Sequence, residues 1–210
     1  MILAYLQLII ILAVAITVHE FSHAWVAWKL GDPTAKAHGR VSLNPLRHLD
    51  PLGTLMIFIA HIGWGKPVPV NPRNFKNPIR DNAIVSFAGP LANLLTAIVA
   101  TIPYRIFNQI NTAAGAAFQQ IFDNLIAVCV ILFLFNLLPF KPLDGAAILG
   151  YFIPQKHFTK YEKWMEDHLA HFMIFVLADL FLLRNLFGFS ILETIIYLPA
   201  GYLIDFIKLG

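Results

Sequence analysis

His19, Glu20 and His23 form the pattern His-Glu-x-x-His near the end of an apolar run without Asp, Glu, Lys or Arg from residue 1 to residue 18. On a helix, side chains four residues apart project from one face, so both imidazoles can bind one metal ion. Glu20 follows about 100° around the helix, where its carboxylate can reach a water molecule on that metal. The pattern predicts a metal site; the alternative is a pair of interfacial histidines beside a glutamate that extends to the membrane surface.

The composition places this pattern in a membrane. Of the 210 residues, 58% are hydrophobic and only 13% are charged, and the mean hydropathy is +0.68. Soluble domains carry about 25% charged residues, so the sequence predicts an integral membrane protein. Its net charge of +3 fits the positive-inside rule, and no aromatic-interleaved basic patch suggests nucleic acid as a partner. Ionisable groups inside a span are costly and typically functional.

Five apolar segments are predicted to be membrane-spanning helices, in a bilayer whose hydrocarbon core of about 30 Å needs about 20 helical residues. They are Ile2–Leu30, Ala83–Pro103, Phe118–Leu138, Leu169–Leu183 and Phe189–Ile207. Leu52–Ile62 is apolar but too short to span, so it is predicted to be re-entrant or partly inserted. The first segment lacks the cationic start of a signal peptide and is expected to remain as a span. The predicted fold class is an all-α polytopic membrane protein, whose compact size suits a prokaryotic plasma membrane.

Residues 34–80 differ from the apolar segments. Ala35–Leu43 alternates loosely and is compatible with a strand, while the prolines of Gly65–Pro72 require extended or turned backbone. A small extended or β region is therefore expected here. The stretch 29–80 holds eight of the fifteen cations, which predicts a cytoplasmic location. Gln155–His168 is predicted to lie on the same side, with the N-terminus outside and the C-terminus inside.

A catalytic zinc site needs a third protein ligand beyond the two histidines. The candidates in or near the spans are Asp144, Asp179, Glu193, His38, His48, His61, His168 and His171. Asp144 is distinctive because Pro139 and Pro142 end the preceding helix and leave it in a turn on the side of the histidines. It could equally cap a helix that starts at Gly145.

Asp179 is a second carboxylate within an apolar segment. Such a group is a functional candidate by default. Pairing with a neighbouring polar group in the helix bundle explains it equally well, and both interpretations stay open at this point.

Four motifs, in the same order, resemble the site-2 protease family of intramembrane zinc metalloproteases, over about residues 15 to 150. They are His19 to His23, then Gly63-Trp64-Gly65-Lys66-Pro67-Val68-Pro69-Val70-Asn71, then Gly89-Pro90-Leu91-Ala92-Asn93, and finally Asn136 to Gly145 with its Leu-Asp-Gly.

The resemblance implies one zinc ion per chain, with His19, His23 and Asp144 as its ligands and Glu20 as general base. It implies that Asn136 holds the substrate carbonyl or its developing oxyanion. Residues 1–153 would form the catalytic membrane core, and residues 154–210 a cytoplasmic link and a C-terminal helical hairpin. The implied reaction is hydrolysis of peptide bonds within transmembrane helices.

Two departures from the family concern substrate selection. Many members carry a PDZ domain between the second and third core helices, and the link after Tyr104 is too short for one. A nucleotide-sensing domain after the last segment is not expected either. Selection among membrane-protein substrates is therefore expected to rest on the membrane part or on partner proteins. The Gly63–Asn71 segment could offer strand-like edges to an unwound substrate, or be a surface loop.

The alternative function is that of a zinc-binding membrane transporter or scaffold without peptidase activity. A transporter needs polar groups along a path across the membrane, and the second and third segments offer few: Thr96, Thr101, Asp123 and Asn124. An inactive scaffold would be expected to have lost Glu20, which is present.

Overall fold

The computed structural model describes residues 2–60 and 63–209, with the backbone alone described for residues 2–4 and 57–60. Its helices are α1 (Ile2–Lys29), α2 (Thr34–Ala37), α3 (Pro51–Ala60), α4 (Pro78–Asn108), α5 (Ala113–Asn136), α6 (Asp144–Phe152), α7 (Gln155–Asp167), α8 (Leu169–Phe187) and α9 (Ile191–Leu209). Helix α8 includes a π-helical stretch, Ala178–Leu183. Over the described ranges there is no sheet, and one isolated antiparallel bridge joins Leu49 to Gly65.

Four helices of the described chain are long and apolar enough to cross a membrane. They are α1 from Tyr5, α4, α5 and α8. The predicted fifth span corresponds to α9, which has 19 residues but contains Glu193, Asp205 and Lys208. Five spans therefore stay a prediction. The chain does fold with several helices of membrane-spanning length.

The segment Leu52–Ile62 is a short helix as far as it is described. Helix α3 has 10 residues, which at about 1.5 Å per residue gives roughly half the thickness of the hydrocarbon core. It is too short to span, in agreement with the sequence, and Ile62 lies outside the described residues, as does the candidate ligand His61. Partial insertion of α3 stays a prediction.

The strand suggested for Ala35–Leu43 is wrong. The chain forms helix α2 there and then continues in turns. The carboxylate of Asp32 accepts hydrogen bonds from the backbone N–H and the hydroxyl of Thr34, which starts a helical turn directly after Pro33 and overrides the loose alternation. Residues 66–71 form neither helix nor strand, so the small β region also stays a prediction.

Helix α4 is the element on which the others pack. It contacts α1, α5 and α6, and small buried side chains such as Ala97 and Ala100 let neighbouring helices approach closely. Its first residue is Pro78, where a missing N–H costs no intrahelical hydrogen bond. Because α1 and α6 both pack on α4, residues distant in sequence meet along this helix.

Candidate metal centre

His19, His23 and Asp144 converge where α1 meets the start of α6. Oδ2 of Asp144 lies 3.2 Å from Nε2 of His19 and 3.4 Å from Nε2 of His23, and the two Nε2 atoms are 3.0 Å apart. Both histidines are only 8% exposed. Within the described part of the chain, this is the one group of three or more His, Cys, Asp or Glu side chains with the spacing of a metal site.

Helix α4 orients both imidazoles through contacts with their Nδ1 atoms. Nδ1 of His23 donates a hydrogen bond to the carbonyl oxygen of Val85 at 2.7 Å, so in the neutral ring Nε2 carries the lone pair. Nδ1 of His19 lies 3.2 Å from Nδ2 of Asn93, whose Oδ1 has no partner. Turning the Asn93 amide by 180° lets Oδ1 accept from the His19 Nδ1–H and leaves the second lone pair on Nε2.

The donor set fits a cation. Two Nε2 lone pairs and a buried oxygen of Asp144 that has no hydrogen-bond donor point at one another, an arrangement that repels itself unless a positive charge lies between them. Two imidazoles and one carboxylate form a three-ligand set of the kind that binds zinc and keeps a fourth position open. The alternative role of Asp144, as the cap of a helix that starts at Gly145, is not seen, because α6 begins at Asp144 itself and its N-cap residue is Leu143.

A glycine allows α4 to lie directly against this group. A β-carbon at Gly89 would approach Nε2 of His23 to 2.3 Å and Cε1 of His19 to 2.8 Å, closer than real contacts allow. In the sequence, Gly89 and Asn93 belong to one of the motifs that carry the family resemblance, and neither residue was assigned a role. The sequence of α4 alone does not indicate that Gly89 and Asn93 face the histidines.

A cavity of about 510 Å³ borders His19. Its wall includes His19 and Glu20 from α1, Trp64 and Gly65 from the non-helical segment, and Asn136 from α5. The structure thus places Glu20 and Asn136 in one cavity with His19, a candidate metal ligand. Nδ2 of Asn136 donates to the carbonyl oxygen of Leu132 at 2.9 Å within its own helix.

Arg40 is a buried residue of the site that the sequence did not reveal. Its side chain is 5% exposed, and Nη2 lies 3.9 Å from Oε2 of Glu20. It donates to the carbonyl oxygens of Lys66 and Pro67, which follow the part of the segment that lines the cavity. No spacing rule connects Arg40 to Glu20, since a turn and a loop separate them in the fold.

Asp32 connects the end of α1 to the C-terminal end of the Gly63–Asn71 segment through hydrogen bonds. Its carboxylate is fully buried and accepts hydrogen bonds from Asn71 N–H at 2.7 Å and from Asn74 Nδ2 at 2.6 Å. Burial by itself raises the pKa of Asp32, but the hydrogen bonds from Thr34, Asn71 and Asn74 outweigh burial and hold the pKa below its ordinary value.

The other candidate ligands have different partners. Asp179 accepts hydrogen bonds from the Ser190 hydroxyl and from the N–H groups of Ile191 and Leu192, so it caps α9, as the pairing interpretation anticipated. Glu193 forms an ion pair with Arg184 at 2.7 Å. Three of the candidate histidines have a ring nitrogen at hydrogen-bond distance from a backbone carbonyl: His38 with Thr34, His48 with Ser42 and His168 with Trp164. The ring of His171 contacts the ring of His168.

Comparison with known proteins finds bacterial relatives. A Bacillus subtilis protein named "Putative zinc metalloprotease YwhC" is 45% identical over 151 residues, which are 70% of this chain and 69% of that protein. "Putative zinc metalloprotease Rip2" of Mycobacterium tuberculosis H37Rv is 36% identical over 143 residues, 65% of this chain and 53% of that protein. Rip2 of Mycolicibacterium smegmatis is 35% identical over 139 residues, 64% of this chain and 52% of that protein.

The chain thus spans about half the length of the Rip2 relatives. No family model matches it, and no solved structure matches it.

Proposed function

Because the chain belongs to the zinc metalloprotease family that includes YwhC, we propose that it is an intramembrane zinc endopeptidase of the site-2 protease type. The proposed reaction is hydrolysis of peptide bonds within transmembrane helices of other membrane proteins. The observation that carries this proposal is the convergence of His19, His23 and Asp144 beside Glu20, in a bundle of membrane-length helices. A multi-pass location in a prokaryotic plasma membrane goes with it.

One zinc ion per chain would be held by His19, His23 and Asp144. When bound, it supplies a Lewis acid that activates water and polarises the peptide carbonyl. The protein's own contribution is orientation: Val85 and Asn93 fix the two imidazoles from behind, and Gly89 leaves room for them. Buried imidazoles with fixed rings lose little freedom when the ion binds.

Glu20 is the proposed general base. Its carboxylate accepts a proton from the attacking water and delivers it to the leaving amine. The side chain is 14% exposed and lines the cavity next to His19, so water and a substrate can both reach it. Proton transfer by a positioned side chain typically contributes about 10²–10⁴-fold to a rate.

Asn136 is proposed to hold the substrate carbonyl. It lines the same cavity, and its amide now donates to Leu132, so it would turn toward the substrate when one is bound. A side-chain donor to a developing oxyanion contributes about 2.7–4 kcal/mol in a well-characterised protease.

The Gly63–Asn71 segment is proposed to receive the unwound substrate. A helical substrate hides its peptide bonds in its own hydrogen bonds and must become extended before it is cut. Lys66 N–H donates to the carbonyl oxygen of His48 at 2.7 Å across the Leu49–Gly65 bridge. In this antiparallel pattern the N–H and C=O of Gly65 point away from Leu49, and they are available to an extended chain in the cavity.

Comparison of membrane proteomes tests the proposed function. A strain without this protein should accumulate one or more membrane proteins with an uncut transmembrane helix. Wild-type protein should restore cleavage, and the Glu20→Gln protein should not. If no membrane protein accumulates uncut, or if Glu20→Gln restores cleavage, the endopeptidase proposal is wrong.

A further inference from the structure

The Arg40 guanidinium binds the backbone that directly follows the cavity wall and lies beside a carboxylate that lines the cavity. Nη1 of Arg40 donates to the carbonyl oxygen of Pro67 at 2.9 Å, and Nη2 donates to that of Lys66. The same Nη2 lies 3.9 Å from Oε2 of Glu20. Two backbone carbonyls and one carboxylate, from two distant parts of the chain, therefore lie next to the single side chain of Arg40.

The Lys66–Pro67 backbone is held from two directions. Lys66 N–H donates to the carbonyl oxygen of His48, while Arg40 binds the carbonyls of Lys66 and Pro67. Glu20 adjoins this backbone, because a β-carbon at Gly65 would lie 3.5 Å from its Oε1. Movement of this backbone would change the surroundings of Glu20 directly.

Arginine is suited to this arrangement and costly to bury. Its planar fork presents several fixed N–H donors and stays charged, whereas a buried cation is unfavourable unless it is well paired. Arg40 has one carboxylate nearby and two carbonyls as acceptors, and its Nε has no partner. Simple charge neutralisation would not require contacts with both carbonyls.

We propose that Arg40 is a positioning residue that holds the Lys66–Pro67 backbone and the Glu20 carboxylate in a fixed relation. This inference rests on the proposed function, in which Glu20 is the base and the segment receives substrate. Arg40 acts through these groups, and none of its hydrogen bonds or ion pairs involves His19, His23 or Asp144. Its removal should therefore reduce turnover while zinc stays bound.

The test compares Arg40→Gln and Arg40→Lys with wild type in proteoliposomes. Arg47→Gln is the matched control, because Arg47 is exposed in the same loop and the charge change is identical. The probe is a synthetic peptide with the sequence of a transmembrane helix that accumulates uncut in the deletion strain. Zinc content, kcat and KM are measured for each protein.

Arg40→Gln should keep one zinc per chain and lose at least about tenfold in kcat, with a smaller change in KM. Lysine keeps the charge near Glu20 but lacks the fork, so Arg40→Lys should recover at least threefold over Arg40→Gln. Arg47→Gln should match wild type. A kcat of Arg40→Gln within twofold of wild type would overturn the inference. So would loss of zinc, or a lysine variant no more active than the glutamine variant.

Hydrogen exchange separates this inference from the proposed function. If wild type and Arg47→Gln cleave nothing, the proposed function fails, and the contact is still tested by the exchange rate of the Lys66 amide. That rate should rise at least tenfold in Arg40→Gln and stay unchanged in Arg47→Gln. An unchanged rate in Arg40→Gln would show that Arg40 does not hold this backbone.

Discussion

The backbone of Gly89 lies so close to the imidazole of His23 that a β-carbon there would approach Nε2 to 2.3 Å. Any side chain at this position must displace the ring that is proposed to bind zinc. Helix α4 therefore acts as the rear wall of the candidate metal centre, and its sequence sets how α1 can present its histidines.

Gly89→Ala tests whether the close approach of α4 to the two histidines is needed for zinc binding. The added methyl group should push His23, and with it His19, out of position, so zinc content should fall well below one per chain and cleavage by at least about tenfold. Gly201→Ala is the control, since a β-carbon at Gly201 meets nothing within 4 Å. Metal analysis of the two purified proteins makes the comparison. Full zinc occupancy in Gly89→Ala would show that α4 tolerates movement here.

Asn93→Leu tests the support of His19. Loss of the amide should leave Nδ1 of His19 without a partner and lower zinc affinity by about 10–100-fold, as is typical when a group that orients a metal ligand is removed. Thr96→Val on the same helix is the control, because Thr96 binds only the backbone carbonyl of Ala92. Zinc affinity is measured by competition with a chelator. Equal affinities in the two variants would remove Asn93 from the site.

Asp144 and Asp179 should respond in opposite ways to replacement by alanine. Asp144→Ala should lose zinc, because one of three proposed ligands is gone. Asp179→Ala should keep zinc but unfold more readily by about 1–3 kcal/mol, because the Ser190 hydroxyl and the first N–H groups of α9 lose their acceptor. Metal analysis and thermal unfolding in detergent measure both effects. Unchanged zinc affinity in Asp144→Ala would exclude it as a ligand.

Acid should remove the contribution of Asp32 to stability. The pKa of Asp32 in the folded chain lies below its ordinary value of 3.8, so the charged carboxylate stabilises the fold above about pH 4. That contribution is lost as the pH falls through the folded pKa. Asp32→Asn should unfold about 2 kcal/mol more readily at pH 7, or roughly 4–8 °C lower.

The difference in unfolding free energy between Asp32→Asn and wild type should narrow as the pH falls below 3.8, since the unfolded wild-type chain then takes up a proton that the folded chain binds only at lower pH. Thermal unfolding at pH 7 and at pH 3 measures it. A difference that is the same at both values would mean that the Asp32 carboxylate contributes through its shape and not through its charge.

The sequence predicted the parts of this molecule that depend on short spacing and on apolar length. The face shared by His19 and His23, the membrane-length helices and the break before Asp144 all follow from such local rules. The predicted strand at Ala35–Leu43 was wrong because the buried carboxylate of Asp32 stabilises a helical turn there.

The roles of Arg40, Asn93 and Gly89 were not predictable for a different reason. Each acts through a contact with a residue on another helix or loop, and such contacts depend on how helices pack. The Gly-Pro-Leu-Ala-Asn motif contributed to the family resemblance, but it did not indicate that α4 packs against the two histidines. Only the assembled fold brings these groups together.

Purified Glu20→Gln protein distinguishes a zinc endopeptidase from a zinc-binding membrane protein without peptidase activity. Glutamine nearly matches glutamate in size and shape but cannot accept the proton of water, so the zinc site and the cavity should form normally. Zinc content, unfolding temperature and cleavage of the transmembrane peptide are measured beside wild type. We expect one zinc per chain, an unchanged unfolding temperature and a loss of cleavage of at least about 10²-fold. A Glu20→Gln protein that binds zinc and cleaves like wild type would contradict the account.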